Sequence, residues 1–239
     1  MPLYLEVRAR LIEGISAGEW PPGEAIPSEA ALARALGVAI GTVRKAVDGL
    51  VAGRALVRRQ GKGTFVAEHD GGRLLFHFFH IVGRDGTKAY PEVRTLAFGR
   101  ARATGDEARA LGIAAHDKVI RIRNLLSLAA EPSIVDEITL PAELFPGLSE
   151  KIFLARGNTI YHLYQSRYGI NVLRTDERLR AMLADSQLGA LLRVAAGAPL
   201  LEIRRVALTF RDRPVELRIS RVNTARLDYH NTLGKGVPG

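Results

Sequence analysis

Cationic side chains are concentrated in one short part of this 239-residue chain, between Thr42 and Lys62. This stretch holds six basic residues and one acidic residue, whereas residues 1–41 hold three basic and five acidic residues. Guanidinium and ammonium groups hold phosphate oxygens well, so a local cationic cluster is the expected footprint of a polyanionic partner. The alternative is a charged face that only keeps the protein in solution. The charge pattern alone does not choose between these two interpretations.

The types and positions of these residues make the first interpretation specific. Arg44 has a forked donor group that can bind guanine through two hydrogen bonds. Thr42 and Arg44 lie near the start of a predicted helix, where backbone N–H groups favour phosphate. A glycine next to a lysine, as at Gly61 and Lys62, suits close backbone approach together with a point charge. The predicted contacts to a nucleic acid are Ser28, Thr42, Arg44, Lys45, Arg58, Arg59, Gly61 and Lys62.

A second pair of arginines lies two residues apart in the alternating stretch "KVIRIRNLLSL". In a strand, Arg121 and Arg123 leave the same face, and two guanidinium groups this close repel each other unless an anion lies between them. The pair is therefore a candidate clamp for a carboxylate or a phosphate. The alternative is a structural set of ion pairs, in which both arginines contact Asp136 and Glu137 on a neighbouring strand.

Several other kinds of chemistry find little support. There is no cysteine, which excludes disulfides and thiolate sites. His77 and His80 are three apart and would point to opposite faces of a strand, so we predict no metal site and no cofactor. No Ser-His-Asp arrangement and no phosphate-binding glycine loop is present, which argues against an enzyme. With no apolar run of membrane-spanning length and no secretory leader pattern, we expect a cytoplasmic protein without a membrane partner.

The elements that must position the first set are three helices and a hairpin. Ser28 precedes "EAALARALG", where its hydroxyl can cap a helix that ends at Gly37. Val43, Val47 and Leu50 form the apolar face of the next helix and leave Thr42, Arg44 and Lys45 on the other face. The predicted order is a helix over about 3–17, a second over 29–36, a third over about 41–52 and a hairpin with its tip at 61–63.

A change of character follows at "EHDGGR", residues 68–73, which is polar and without periodicity. Beyond it, strand-like segments alternate with short helices, and the pattern predicts a mostly antiparallel α+β domain. We predict a DNA-binding domain over residues 1–68, a linker over 69–73, a second domain over 74–233, and a disordered tail over 234–239.

The N-terminal motifs resemble the DNA-binding domain of the gluconate-repressor (GntR) family of bacterial transcription factors. The resemblance rests on Pro-Ser-Glu at 27–29, "LGV" at 36–38, "TVRKA" at 42–46 and "GKGTFV" at 61–66. It implies a winged helix-turn-helix whose third helix enters the major groove, bound as a homodimer to a pseudo-palindromic double-stranded DNA operator.

The C-terminal motifs resemble the UTRA effector domain of the HutC-like branch, which has a chorismate-lyase-like fold. They include "LGI" at 111–113, "PAELFPGL", "NTIYHLYQSRYGI" and "RPVEL". The resemblance implies that residues 74–233 form an effector-binding and dimerisation domain. It also implies that Arg121, Arg123, Asp136, Thr159 and Glu216 bind a small anionic metabolite that carries hydroxyl or amine groups. The chain is thus expected to be a ligand-responsive regulator, most often a repressor. The alternatives are a chorismate-lyase-like enzyme and a small-molecule sensor that does not bind DNA.

The chain departs from the family at the start of its third helix. Ala39 stands where a capping serine is usual, and Ile40 stands where arginine or glutamine is common. The missing cap costs about 1 kcal/mol. Ala30 likewise replaces a frequent arginine. We therefore expect fewer hydrogen-bonded contacts to DNA than in a typical member, with Arg44 and Thr42 carrying most of the base recognition.

Overall fold

The computed structural model describes residues 2–53, 55–67, 78–156 and 159–231. The predicted linker at 69–73, the predicted tail at 234–239 and His77 lie outside the described residues. The described chain divides into two compact units that do not follow chain order. The first comprises residues up to 71 together with 144–175 and 207–215, and the second comprises 72–143, 176–206 and the residues from 216 onward.

The first unit begins with three helices and a hairpin, as predicted. They are α1 (Leu3–Ser16), α2 (Glu29–Leu36), α3 (Ile40–Ala52), β1 (Leu56–Arg59) and β2 (Gly63–Val66). Ser28 caps α2 by accepting a hydrogen bond from the Ala31 N–H at 3.2 Å, and Gly37 ends it in the left-handed conformation. Ala39 precedes α3 without a side-chain cap, in agreement with the expected departure.

The core of these helices extends to residues far along the chain. Val7, Leu11, Val43 and Val47 are buried in it. Leu173 and Phe210 pack against the same cluster. The Gln165 side-chain amide donates to the Ala67 carbonyl at 2.8 Å, and Arg211 pairs with Glu13 at 2.8 Å. Residues 144–175 and 207–215 thus fold onto the helix-and-hairpin segment as one compact body. The predicted domain bounds at 68 and 74 stay a prediction.

A six-stranded antiparallel sheet follows, in the order β4-β5-β6-β9-β8-β7. Its strands are β4 (Glu92–Arg102), β5 (Lys118–Leu128), β6 (Glu131–Pro141), β7 (Arg174–Leu183), β8 (Pro199–Leu208) and β9 (Pro214–Val222). A two-stranded pair, β3 (Ile81–Gly83) with β10 (Leu227–Tyr229), stands apart from it. The helices of the C-terminal part are α4 (Gly105–Leu111), α5 (Glu150–Leu154), α6 (Ile160–Tyr168) and α7 (Ser186–Leu192).

The two faces of this sheet are covered differently in the second unit. On one face, Val119 and Leu217 pack against α4, and Leu125 and Val135 pack against α7. We call this the helix face. On the other, Leu126, Ile134 and Val222 form a cluster with Ile81 of β3. We call this the inner face. The predicted α+β fold is confirmed.

Candidate functional site

Glu29 connects three elements of the N-terminal segment. Its carboxylate accepts a hydrogen bond from Arg44 Nε of α3 and another from Arg58 of β1, both at 2.8 Å. The Glu29 side chain is 22% exposed and that of Arg44 is 61% exposed. The guanidinium of Arg44 is therefore oriented through its Nε while most of the side chain stays open to a partner.

Arg58 is held by a second carboxylate as well. Asp48 of α3 lies 2.6 Å from its guanidinium, and the hydrogen bond to Asp48 is the largest cause of a raised pKa for Arg58. Two carboxylates offset its positive charge, so Arg58 attracts phosphate less than its position in the sequence implied. Both Arg44 and Arg58 are predicted DNA contacts, and its pairing with two carboxylates makes Arg58 the weaker phosphate contact of the two.

Two other predicted contacts rest on aromatic rings. The Lys45 Nζ lies 4.2 Å from the centre of the Tyr4 ring, and the Arg59 guanidinium lies 4.5 Å from that of Phe65. Each such contact contributes about 0.5–1 kcal/mol at an exposed site. Because each ring covers only one side of its cation, the Lys45 and Arg59 side chains are oriented while both residues stay exposed to solvent.

The hairpin tip has the conformation that its glycines predict. Gly61 has φ +71°, and a Cβ at that position would meet nothing within 4 Å. Lys62 is exposed, and its N–H closes the turn on the Arg59 carbonyl at 2.9 Å. Ser28 is also exposed beyond its capping bond, whereas Thr42 is half-buried. The tip is thus free to approach a backbone and to present one charge.

The residues predicted to bind an effector do not all come together. In the strand register, Arg121 lies opposite Thr139 and Arg123 opposite Glu137, whereas Asp136 lies opposite Asn124 and Ser220. Because side chains alternate between faces, the two arginines lie on the helix face and Asp136 and Glu216 lie on the inner face. These four residues therefore do not share one face of the sheet, and their role in binding an effector stays a prediction. Odd-numbered and even-numbered positions of these paired strands point away from each other.

Arg121 makes three hydrogen bonds to protein groups on the helix face. Its guanidinium donates to Glu107 of α4 at 2.8 and 3.0 Å and to the Arg102 carbonyl at 3.0 Å. Burial alone would raise the pKa of Glu107, but hydrogen bonds from Arg121, the Thr104 N–H and Thr139 lower it to about 2. Arg121 thus fixes α4 on the sheet.

Arg123 begins a row of ion pairs that crosses the helix face. Glu137 lies 3.6 Å from Arg123 and 2.8 Å from Arg221, and Glu202 lies 3.5 Å from Arg221 and 2.8 Å from Arg180. The alternative of a structural ion-pair set is therefore found for Arg123 with Glu137. Asp136 takes no part in it.

On the inner face, Asp136 and Glu216 share an arginine that the sequence analysis did not select. Arg218 lies 3.2 Å from Asp136 and 2.9 Å from Glu216. The side chains of Asp136 and Glu216 are 4% and 0% exposed. Among the described residues, Asp136 Oδ1 is buried without a hydrogen-bond partner. Asp136 therefore keeps one acceptor that a ligand can satisfy.

Thr159 lies at a helix start, and His80 packs beside an aromatic ring. Thr159 caps α6 by accepting a hydrogen bond from the His162 N–H at 3.2 Å, so its predicted place at a helix start is confirmed. His80 lies 5.3 Å from the Tyr229 ring, and burial is the first cause of its lowered pKa. Within the described ranges, no group of three or more His, Asp or Glu side chains could hold a metal ion.

The functional residues that were missed had weak signals. Glu29 belongs to the Pro-Ser-Glu motif, but its role depends on Arg58, which lies 29 residues away. Arg218 follows Glu216 by two residues, so a carboxylate and a guanidinium on one strand face could have been recognised.

Comparison with known families decides the classification. Residues 3–66 match the model described as "Bacterial regulatory proteins, gntR family", and residues 88–228 match the UTRA domain. The chain belongs to the GntR family and carries a UTRA domain. It is therefore a transcriptional regulator and not an enzyme, which confirms that prediction.

Curated relatives and solved structures agree with this classification. The chain is 30% identical over 217 residues to the probable fructoselysine utilization operon transcriptional repressor of Escherichia coli K12, covering 90% of this chain and 88% of the relative. It is 30% identical over 210 residues to the histidine utilization repressor of Pseudomonas putida, covering 85% and 81%. The ligand-binding domain of a proposed GntR-family regulator from Bordetella bronchiseptica superposes with TM-score 0.62 at 34% identity, covering 66% of this chain and 98% of that one.

None of the described helices has the length and apolar character needed to cross a membrane.

Proposed function

We propose that this GntR-family regulator is a repressor that binds a palindromic operator as a homodimer and is released by a small polar metabolite. The observation that carries the DNA-binding half is the Glu29 carboxylate, which orients Arg44 from α3 while 61% of that side chain stays exposed. The recognition helix of a helix-turn-helix lies in the major groove, where an arginine binds guanine through two hydrogen bonds.

The hairpin formed by β1 and β2, which we call the wing, supplies affinity rather than sequence specificity. Lys62 and the backbone at Gly61 are exposed at the hairpin tip, and contacts to phosphate position a protein without reading bases. A symmetric dimer places two recognition helices in major grooves on one side of the DNA. The two half-sites are therefore expected about one helical turn apart.

The test begins with selection of bound sequences from random duplex DNA by the full-length chain. Arg44→Ala should abolish the preference for the selected operator. Lys62→Ala should weaken binding to operator and random DNA alike and reduce the salt slope by about one. An unchanged operator affinity for Arg44→Ala in gel shifts would reject the assigned role of α3. Sedimentation of the free protein would establish whether it is a dimer.

The effector half of the proposal rests on the inner face. A buried acceptor without a partner costs about 1–3 kcal/mol, and a ligand that donates a hydrogen bond to Asp136 Oδ1 recovers it. Because Asp136 Oδ1 can only accept when the carboxylate is ionised, this point of the site favours a donor such as a hydroxyl or an ammonium group over an anion. A ligand held here does not also contact Arg121 and Arg123, which lie on the opposite face.

Relatives repress utilization of fructoselysine and of histidine, which supports a polar nutrient as the ligand class. Thermal-shift screening of polyols, amines and organic acids distinguishes the options. We expect a hydroxyl- or amine-bearing compound to raise the melting temperature, and Asp136→Asn to remove that shift. Arg123→Gln is the matched control on the helix face and should leave the shift unchanged. A shift that is lost in Arg123→Gln and kept in Asp136→Asn would restore the predicted anion clamp.

A further inference from the structure

Ile40 is an apolar residue exposed where the recognition helix begins. Its side chain is 44% exposed, it is the first residue of α3, and Ala39 before it is exposed and makes no capping hydrogen bond. The next residue is Gly41, and a Cβ there would meet nothing within 4 Å. The first turn of α3 therefore offers a small apolar surface with open space beside it.

Major-groove edges differ in what they offer to such a surface. Thymine alone among the four bases presents a methyl group there, and apolar side chains recognise it by contact. The N-terminal residues of a recognition helix are the ones that contact base edges. An exposed isoleucine in that turn has nothing to bond to a guanine or an adenine edge, but it can exclude water from a methyl group.

We propose that Ile40, with Ala39 beside it, selects one thymine in each half-site through its C5 methyl group. This inference rests on the proposed DNA-binding function and adds a base to it. Ile40 and Arg44 are four residues apart, one turn along the same side of α3, which is about 6 Å at 1.5 Å per residue. The selected thymine should lie on the order of two base steps from the guanine that Arg44 binds.

The experiment uses the operator selected by the full-length chain. Each thymine of a half-site is replaced in turn by deoxyuridine, which lacks only the C5 methyl group. We expect one position per half-site at which uracil weakens binding about fourfold, the factor that corresponds to ~0.8 kcal/mol for one methyl-sized group removed from water.

Ile40→Ala should weaken binding to the thymine operator and abolish the difference between thymine and uracil at that one position. Val57→Ala is the matched control, because Val57 is also apolar, is 40% exposed and lies in β1 of the wing. This control should keep the full uracil effect.

Three results would overturn the inference. Uracil could be neutral at every thymine, the Ile40→Ala variant could discriminate as well as the wild type, or Val57→Ala could lose the effect equally. In each case the wild type still binds its operator, so the proposed function stands. If no sequence is enriched in the selection, the proposed function fails and this inference fails with it.

Discussion

The carboxylate of Glu107 offers a stability test whose size follows from the structure. It is the third residue of α4 and accepts hydrogen bonds from the Thr104 N–H at 2.8 Å, from Thr139 Oγ1 at 3.0 Å and from Arg121 at 2.8 and 3.0 Å. One carboxylate thereby joins α4 to β5 and β6. Glutamine has nearly the same shape but only one accepting oxygen, so Glu107→Gln removes the charge and leaves some of these donors unpaired.

The expected loss follows from the pKa of Glu107, which falls from 4.5 to about 2. At ~1.4 kcal/mol per pKa unit, this difference sets a ceiling of roughly 3 kcal/mol on the stabilisation at neutral pH. The Arg121 side chain is 44% exposed, so solvent screening reduces the contribution to about 1–2 kcal/mol. The folded pKa is depressed, so the contribution is complete above pH 4.5 and is lost as the pH falls towards 2.

The assay is urea unfolding of wild type and Glu107→Gln between pH 7 and pH 3. We expect the variant to be less stable by about 1–2 kcal/mol at pH 7, with the difference shrinking as the pH falls below 4.5. Asp106→Asn is the control, because Asp106 and Arg109 form a pair in which both side chains are more than three-quarters exposed. It should change stability by less than about 0.5 kcal/mol. An equal loss for Glu107→Gln at pH 7 and pH 3 would refute the argument, since an ionised carboxylate could not then be its cause.

Two further predictions concern single side chains that join separate elements. Glu29→Gln removes the charge that orients Arg44 and Arg58, so operator affinity should fall about tenfold while affinity for random DNA does not fall, as measured by competition gel shifts; equal losses on both DNAs would contradict this. Gln165→Leu removes the donor to the Ala67 carbonyl and to Asn171 Oδ1 and should lower the free energy of unfolding by about 1–3 kcal/mol in urea titrations, and an unchanged midpoint would show that these contacts do not stabilise the fold.

Most elements could be predicted because their signals are local. Ser28 and Gly37 delimit α2 through a hydroxyl cap and a left-handed glycine, and both features are visible within ten residues. Short or irregular elements were less accessible. α5 spans only Glu150–Leu154, which is too short to show a helical period, and α7 ends at Leu192 because Arg193 adopts φ +54°. The faces of β5 were assigned correctly from alternation alone.

The partners of the predicted ligand-binding residues could not be predicted, because they lie far apart in the chain. Arg121 and Arg123 were correctly placed on one face, but the helix that covers that face brings Glu107, 14 residues earlier than Arg121. The capping motif of Thr104 and Glu107 was readable, yet nothing local shows that the same carboxylate also binds an arginine of the sheet. A pair of like charges therefore predicts that a counterion exists, and only the fold says whether the protein supplies it.

The same distinction separates the two faces of the sheet. On the helix face, every guanidinium in the row from Arg123 to Arg180 has a carboxylate within 3.6 Å, although Arg123 Nε itself is buried without a hydrogen-bond partner among the described residues. On the inner face, Asp136 keeps an accepting oxygen with no partner among the described residues. A ligand that donates to it gains a hydrogen bond without breaking one. At one hundred times its dissociation constant, such a ligand stabilises the folded protein by about 2.7 kcal/mol, and it shifts a regulator between two states by the difference in its affinity for them.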